Sequence, residues 1–293
     1  MPAFTCNICG ASNTRAGPLP REEPSCIKCG SNVRTRGLMQ ALSLALFGTN
    51  LTLPDFPRVK SLRGLGTSDA NDYAVRLAEK FDYRNTYYSR EPHFDLANPP
   101  ESEFASYDFI LSSEVFEHVP PPVENALHNA FRLLKPAGVL VFTAPYSIEA
   151  SMAEHYPDLH HFGFVELNGR TVLVNRTRQG EMQFFENPVF HIGSEGKAVE
   201  VREFNETGLR TLLTGAGFSE IYTHSEDYPP FGVVRSESWS LPIAARRGPF
   251  ALNLDAARDL VEEWRRLHLK FDAEMQRLDR SLWFRIGRKL KLL

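Results

Sequence analysis

Short apolar runs alternate with amphipathic segments through the middle of the chain. Residues 107–112 and 139–143 are apolar runs of strand length, whereas the apolar residues of 122–134 recur every three or four positions, the period of a helix. The same criteria predict further strands at 58–65, 85–88, 93–96 and 218–223, and further helices at 33–47, 72–81 and 207–216. Strands that alternate with helices form a parallel sheet covered on both faces. The pattern therefore predicts a doubly wound, Rossmann-like α/β domain.

Four cysteines form the clearest chemical pattern, and all of them lie within the first 29 residues. They make two Cys-x2-Cys pairs separated by 16 residues, Cys6 with Cys9 and Cys26 with Cys29. Two such turns supply the four soft ligands that tetrahedral zinc prefers, so the spacing predicts a zinc ribbon over 1–33. Four thiolates leave no open coordination position, and we therefore expect a structural zinc. The alternative is a ribbon that also grips a partner or a substrate.

The remaining segments set the expected domain boundaries. A helix and a proline-containing linker occupy 34–57, the α/β domain 58–245, and a basic helical tail 246–293. Within the domain, 147–204 is too long for an ordinary connection, and such an insert usually forms a lid or a substrate wall. Its aromatic residues are interspersed with four histidines, His155, His160, His161 and His191. This composition suits stacking on a sugar ring, metal binding, or ordinary hydrogen bonds in a polar lid, and the sequence leaves these alternatives open.

Composition and charge restrict the classes of function. With 42% hydrophobic and 24% charged residues the chain is globular, and its longest apolar run, 42–47, is far too short to cross a membrane. The N-terminus lacks the basic and apolar regions of a secretory signal, so we expect a cytoplasmic protein. The net charge of −3 combines an acidic middle with basic ends. The acidic middle argues against a nucleic-acid groove across the main domain, while the basic ends suit an anionic partner.

Two longer blocks of sequence carry a resemblance to a known family. YDFILSSEVFEHVPPPVENALHNAFRLLKPAGVLVFTAPY (107–146) resembles the region from the fourth to the fifth strand of class I S-adenosylmethionine (SAM)-dependent methyltransferases. FNETGLRTLLTGAGFSEI (204–221) is similar to the later helix, glycine turn and strand of that family. The resemblance covers 58–225 and implies a methyltransferase sheet with SAM as cofactor. The combination of this domain with an N-terminal ribbon resembles bacterial methyltransferases encoded among sugar and polysaccharide biosynthesis genes. This resemblance implies a small acceptor, with the methyl group going to a sugar or glycan-linked hydroxyl or amine.

The resemblance also implies where the cofactor binds. Ligands of such sheets lie beyond the carboxyl ends of the strands, and the turn after the first strand must approach the cofactor closely, which glycine permits. Here Ser68 stands in place of the family's third glycine, and Arg63 in place of its acid before the turn. Glu91 is the nearest candidate for the acid that binds the ribose. The implied cofactor-binding residues are Gly64, Gly66, Ser68, Glu91, Asp95, Leu96 and Ser113.

Residues further along the chain complete the implied site. Asp95 with Leu96 fits the position that meets the adenine edge, while Ser113 and Glu114 would line the methionine or the acceptor. Methyl transfer is an in-line displacement in which alignment of the acceptor supplies much of the rate. A hydroxyl or ammonium acceptor also needs a base, and His118 suits that role unless it only braces its loop. We therefore predict His118 and Glu114 as the catalytic residues.

The end of the tail is a basic amphipathic stretch. Residues 277–293 contain six basic residues and one acid, together with leucines and a tryptophan. Such a helix can lie on an anionic membrane surface, which would be the inner membrane face here, or dock on a partner enzyme. The tail is also similar to the C-terminal ends of glycosyltransferase-associated proteins, which implies a glycosyltransferase as that partner. The alternative is that it pairs with its equivalent in a homodimer.

Two other functions are compatible with the sequence. A catalytically silent zinc-ribbon scaffold on a methyltransferase-like fold is favoured by the missing glycine and the missing acid. An enzyme that acts on RNA or protein is favoured by the ribbon, since zinc ribbons often hold such substrates. The acidic middle of the chain argues against RNA.

Overall fold

Five helices and sixteen strands make up the fold within the residues that the computed structural model describes, 3–14, 17–148, 151–193, 196–251 and 253–280. The helices are α1 (Val33–Phe47), α2 (Asn71–Lys80), α3 (Val123–Leu133), α4 (Glu206–Ala216) and α5 (Leu254–Arg280). The strands are β1 (Ala3–Thr5), β2 (Ser12–Thr14), β3 (Arg63–Thr67), β4 (Asp82–Thr86), β5 (Tyr107–Ser113), β6 (Leu134–Thr143), β7 (Tyr146–Ser147), β8 (Ala153–Glu154), β9 (His161–Leu167), β10 (Arg170–Arg176), β11 (Met182–Glu186), β12 (Phe190–Gly193), β13 (Gly196–Val199), β14 (Arg202–Asn205), β15 (Glu220–Thr223) and β16 (Ile243–Arg246).

A six-stranded sheet forms the centre of the fold, in the order β15-β16-β6-β5-β3-β4. Strands β4, β3, β5 and β6 run parallel, as the alternation of strands and helices predicts. Strand β16 is antiparallel to both β6 and β15, so the sheet is mixed rather than parallel throughout. The sequence pattern missed β16 because a run of four residues is too short to identify by its period.

The Lys-Pro-Ala-Gly segment at 135–138 lies inside β6, although it was expected to separate a helix from a strand. Ala137 adopts a positive φ of 63°, and the register between β5 and β6 shifts between Tyr107 and Phe109. Such an irregularity lets the strand accommodate a proline and continue. The observed strand therefore begins five residues before the predicted one.

The predicted strand at 93–96 is reduced to a single bridge between Tyr87 and His93. Here the Asp95 carboxylate accepts a hydrogen bond from the backbone N–H of Ala97, 2.8 Å away. A side chain that binds the backbone two residues on favours a turn over an extended strand.

Alternate residues of β5 divide the apolar core between the two faces of the sheet. Phe109 and Leu111 pack in the cluster that contains α1 and α2, whereas Ile110 packs in the cluster that contains α3 and α4. Cys6 and Ile8 of the N-terminal segment belong to the first of these clusters. The ribbon and α1 therefore share one apolar core with the sheet.

The long connection between β6 and α4 folds as small sheets, with strand orders β7-β14-β8, β9-β10-β11 and β12-β13. The fully buried Arg202 ties this segment to the main sheet. Its guanidinium donates to the carbonyls of Phe116, at 2.8 Å, and Val119, at 2.5 Å, and binds the carboxylate of Glu154. Because a buried cation without partners is costly, these bonds fix the insert over the end of β5.

Helix α5 is attached to the domain near its N-terminus. The Asn253 amide donates to the Asp108 carboxylate at 3.0 Å, and the Asp259 carboxylate accepts the N–H of Ser61 at 2.9 Å. None of the described helices is long and apolar enough to span a lipid bilayer. Of the predicted docking segment 277–293, residues 281–293 lie outside the described part of the chain, so docking and dimerisation stay predictions.

The packing of Gly64 gives a first test of this fold. A Cβ atom at Gly64 would overlap the ring of Phe109, so we expect Gly64→Ala to lower the free energy of unfolding by about 1–3 kcal/mol. Gly215→Ala is the matched control, because a Cβ in that helical position meets no atom within 4 Å and should stabilise the protein by about 0.5–1 kcal/mol. Urea denaturation measures both. An equal effect of the two substitutions would contradict the packing described.

Candidate active site

The carboxyl ends of β3, β4 and β5 open into a cleft of about 1060 Å³. Its floor follows the ends of these strands and consists of Thr67, Ser68, Ala70, Thr86, Tyr87, Tyr88, Ser89, Ser113, Glu114 and Val115. One wall comes from the insert, with Phe162, Phe164, Phe190 and His191. Another comes from the N-terminal segment, with Arg21, Glu22, Asn32 and Arg34. The sheet, the insert and the ribbon segment thus meet at one place.

Of the three residues predicted in the first turn, Ser68 lines the cleft, whereas Gly64 and Gly66 lie inside β3. Phe109 occupies the space beside Gly64, and the side chains of Tyr83 and Asp69 occupy the space beside Gly66. Both glycines therefore have a packing role. Their assignment to cofactor binding stays a prediction.

Ser68 begins the turn with a positive φ of 59°. This left-handed conformation favours glycine, so Ser68 occupies a position of the turn that a glycine would adopt more easily. The backbone N–H of Ser68 donates to the carbonyl of Thr86 at the end of β4, 2.6 Å away. The turn is thereby anchored to the neighbouring strand.

Asp69, the residue after Ser68, fixes this turn through buried hydrogen bonds, a role that the sequence did not reveal. Its buried carboxylate accepts the Tyr73 hydroxyl at 2.7 Å and also binds the Tyr83 hydroxyl. Burial raises the pKa of Asp69 to about 6, against the lowering effect of these two hydrogen bonds. The Asn85 side chain accepts the N–H of Asp69 and donates to its carbonyl, at 3.0 and 2.8 Å. These contacts hold the ends of β3 and β4 together.

The two acids predicted to meet the nucleoside lie in different places. Glu91 is exposed and outside the cleft lining, and its carboxylate accepts the N–H of His93 at 3.0 Å. Asp95 and the buried Leu96 line the cleft, and the Asp95 carboxylate binds the Asn98 amide at 3.0 Å in addition to Ala97. Of these two acids, the structure therefore brings only Asp95 to the lining of the cleft.

Two arginines from the N-terminal segment hold the end of β5. Arg21 donates to the Glu114 carboxylate at 2.8 Å and to the carbonyl of Ser240 at 3.1 Å, and Arg34 donates to the Ser113 hydroxyl. Burial alone would raise the pKa of Glu114, but the charges of Arg21 and Arg34 outweigh it and leave that pKa below its usual range. Glu114 is therefore a carboxylate held in an ion pair at neutral pH.

His118 lines the cleft beside these groups. Its Nδ1 lies 2.7 Å from the carbonyl of Val199, and a carbonyl can only accept, so Nδ1 carries the proton and Nε2 has a free lone pair. Burial lowers the pKa of His118, which keeps the imidazole neutral near pH 7. A neutral ring with an unprotonated Nε2 can accept a proton or bind a metal.

The four cysteines converge as the spacing predicts. Their Sγ atoms all lie within 4.8 Å of one another, with 3.7 Å between Cys6 and Cys29 and 3.5 Å between Cys9 and Cys26. Thiolates bound tetrahedrally to one zinc ion at about 2.3 Å are about 3.8 Å apart, so the donor set fits zinc. Gly10 adopts a left-handed φ of 74° just after its cysteine pair, which lets the chain turn back and bring the two sulfurs together.

The sequence profile described as a methyltransferase domain matches residues 57–221, more than half of the chain. The chain belongs to this family. The mixed α/β sheet is a methyltransferase fold, and the matched region contains β3 to β6, whose carboxyl ends surround the cleft. Among curated proteins, no sequence matches this chain.

Solved structures of other methyltransferases resemble this methyltransferase fold. A 1,6-didemethyltoxoflavin N1-methyltransferase from Burkholderia thailandensis is 15% identical, with a TM-score of 0.39 over 73% of this chain and 79% of that one. CalS10, an amino pentose methyltransferase from Micromonospora echinaspora, is 15% identical, with a TM-score of 0.39 over 74% and 92%. The sugar N-methyltransferase KedS8 from Streptoalloteichus is 14% identical, with a TM-score of 0.37 over 64% and 81%. Likenesses as distant as these carry no argument about the acceptor.

Sequence reasoning missed several residues that the methyltransferase domain gathers at its cleft. Arg21 and Arg34 precede the domain in the chain, and no local pattern connects them with Glu114. Trp239 precedes the unpredicted strand β16. Tyr87, at the end of β4, could have been proposed from its place at the end of a predicted strand.

The ion pair of Arg21 and Glu114 predicts a dependence of stability on pH. We expect Arg21→Ala to lower the free energy of unfolding by about 1–3 kcal/mol at pH 7, because it removes a charged hydrogen bond from a mostly buried carboxylate. Since the pKa of Glu114 is lowered in the folded state, this contribution is present above the ordinary glutamate pKa and is lost as the pH falls through the folded-state pKa. Urea denaturation between pH 7 and pH 3 should show the difference between variant and wild type shrinking.

Arg170→Ala is the control for that measurement, because the pair of Arg170 and Glu186 is exposed on both sides. We expect Arg170→Ala to change the free energy of unfolding by less than about 0.5 kcal/mol at both pH 7 and pH 3. A constant effect of Arg21→Ala across this pH range would show that its role is independent of the Glu114 charge.

The thiol cluster predicts one bound zinc ion, and loss of that ion should also destabilise the segment that carries Arg21 to the cleft. We expect Cys26→Ser to weaken zinc binding there on the order of 100-fold or more, because it removes one of four thiolates. The variant should also be less stable, since Arg21 lies between the two cysteine pairs and reaches Glu114. Zinc per chain is measured by mass spectrometry after dialysis. Ser25→Ala, next to Cys26, is the control that should retain its zinc, and retention of that ion by Cys26→Ser would refute the assignment.

Proposed function

We propose that this protein transfers a methyl group from SAM to a small acceptor, a hydroxyl or an amine of a sugar or a glycan-linked molecule. The observation that carries this proposal is the cleft at the carboxyl ends of β3, β4 and β5 in a methyltransferase-family sheet. Ligands of open α/β sheets bind at this edge. Its volume of about 1060 Å³ lies at the upper limit of ordinary small-molecule sites, which leaves room for a cofactor together with an acceptor.

The residues of the cleft floor fit the cofactor. When bound, SAM supplies the methyl group in electrophilic form. Tyr87, Phe94 and Leu96 offer apolar surface for its adenine, and the Asp95 carboxylate retains lone pairs for a nucleoside hydroxyl or amine. Arg34 adds a positive charge near the end of β5 that suits the methionine carboxylate.

The opposite wall fits a ring-shaped acceptor. It presents the aromatic side chains of Phe162, Phe164 and Phe190 from the insert, with Trp239 beside them. Phe164 is about half exposed, and its ring contacts those of Phe162 and Phe190, so the three form a contiguous aromatic surface of the kind that marks a ligand-binding groove. The face of a sugar ring can stack on such a surface, while its hydroxyls remain available to polar groups.

His118 is the side chain through which the protein would act on the acceptor. Its free Nε2 can accept a proton from a hydroxyl or an ammonium group, or bind a metal ion that lowers the pKa of the acceptor hydroxyl. Glu114 is the weaker base of the two predicted catalytic residues, because its ion pair with Arg21 lowers its pKa. In this proposal Glu114 positions the end of β5 and contributes negative charge at the cleft.

Cofactor binding tests the proposal directly. Calorimetry of the purified, zinc-loaded protein should detect binding of SAM and S-adenosylhomocysteine. We expect Asp95→Asn to weaken this binding about tenfold, or about 1.4 kcal/mol, because it removes the charge from a hydrogen bond to the nucleoside.

Glu91→Gln is the matched control and should leave the affinity unchanged, since Glu91 lies outside the cleft lining. A loss of affinity in Glu91→Gln alone would reverse the assignment of the two acids. Absence of binding in the wild type would remove the proposed activity and favour the catalytically silent scaffold.

A further inference from the structure

A second group of metal-ligand side chains lies at the wall of the cleft, away from the cysteines. Glu117 and His118 follow β5, and His191 comes from β12 of the insert. Each offers a ligand atom, and these atoms lie within 4.8 Å of one another. The two histidines line the cleft, while Glu117 is completely buried behind them.

Glu117 is a buried carboxylate whose surroundings do not satisfy it. Neither of its carboxylate oxygens has a hydrogen-bond partner among the described residues. The nearby Arg202 guanidinium binds Glu154 and two backbone carbonyls instead. A buried carboxylate without partners is costly, and a cation or a proton must compensate it.

His118 presents a lone pair to this carboxylate. With its proton on Nδ1, its Nε2 lies 3.5 Å from Oε1 of Glu117. Nε2 of His118 and the ionised carboxylate of Glu117 are both hydrogen-bond acceptors, and they face each other at a distance too long for a good hydrogen bond. Nitrogen and oxygen ligands of one tetrahedral zinc ion, bound at about 2.0–2.2 Å, are about 3.4 Å apart. The separation thus fits two ligands of the same ion better than a shared proton.

His191 has the environment typical of a metal ligand. Its Nε2 contacts the carboxylate of Glu200, which leaves Nδ1 as its free nitrogen. Glu200 also lies 3.2 Å from Nε2 of His155. Metal-bound histidines usually donate one ring N–H to a carboxylate or a backbone carbonyl. His191 has such a carboxylate in Glu200, and His118 has such a carbonyl in Val199.

We propose that Glu117, His118 and His191 bind a divalent transition-metal ion, distinct from the ion of the cysteine cluster. Two imidazoles and one carboxylate suit zinc or manganese better than magnesium. Three protein ligands leave coordination positions open, and the two histidines face the cleft. In a role that rests on the proposed function, the ion would bind an oxygen of the acceptor at these positions and lower the pKa of its hydroxyl, whose proton then passes to solvent water. His118 would then act as a metal ligand in place of its role as the base.

Metal stoichiometry of the full-length protein tests the site without relying on activity. After equilibrium dialysis against Zn²⁺, we expect two zinc ions per wild-type chain by mass spectrometry. Glu117→Gln keeps the size of the buried side chain and should retain only the cysteine-bound ion, with affinity at the second site reduced at least about 100-fold. His191→Gln should behave in the same way from a less buried position. Glu200→Gln should weaken the second site about 10- to 100-fold by releasing His191.

His128→Gln, at an exposed position on α3, is the matched control and should keep both ions. Substitution with Co²⁺ identifies which ion is lost, because thiolate-to-cobalt charge transfer persists only while the cysteine site is filled. Its persistence in Glu117→Gln shows that the cysteine site is intact, and an unchanged urea midpoint shows that the rest of the variant is folded. A single ion in the wild type, or two ions in Glu117→Gln, would overturn the inference.

Calorimetry with S-adenosylhomocysteine on the same proteins separates this inference from the proposed function. We expect Glu117→Gln to lose the second ion and retain the nucleoside. If the wild type binds a second ion but no nucleoside, the metal site stands and the proposed methyl transfer falls. If the wild type binds S-adenosylhomocysteine but only the cysteine-bound ion, the proposed methyl transfer stands and the second metal site falls.

Discussion

The parallel pairing of β5 with β3 and β6 is the interaction on which the site depends. It aligns Thr67 with Ser112, and Ser113 with Thr143, so that three strands end at one edge of the sheet. Each chain segment that joins two of these strands starts at this edge and crosses a face of the sheet to the opposite edge, since parallel strands need crossover connections. The turn after β3, the loop after β4 and the segment around Glu117 therefore crowd around one cleft, and the ribbon and the insert cover it.

Crowding at that edge buries three carboxylates, and each is compensated differently. Asp69 is held by tyrosine hydroxyls, and burial moves its pKa to about 6. Glu114 is paired with Arg21, whose charge outweighs the effect of burial. Glu117 has no hydrogen-bond partner in the described part of the chain. The unequal compensation leaves Glu117 as the carboxylate at which we propose the second metal ion.

The N-terminal segment contributes to the cleft as well as to stability. Its thiol cluster and α1 share an apolar core with the sheet, and Arg21 and Arg34 from the same segment bind the end of β5. A zinc ion that fixes the cysteine pairs would therefore also fix the loop that carries Arg21. The thiol cluster and the cleft are connected through the ion pair of Arg21 with Glu114.

The sequence by itself determined the local and covalent part of this protein. Apolar periodicity located helices α1 to α4 and the buried strands β5 and β6, and the helical tail predicted for 246–293 contains α5. Cysteine spacing identified the thiol cluster, because these signals are contained in short stretches of chain. The tertiary structure alone decided what depends on contacts between distant segments. The antiparallel β16, the packing role of Gly64, the position of Asp95 rather than Glu91 at the cleft, and the meeting of Glu117 with His191 all result from strand order and crossover paths.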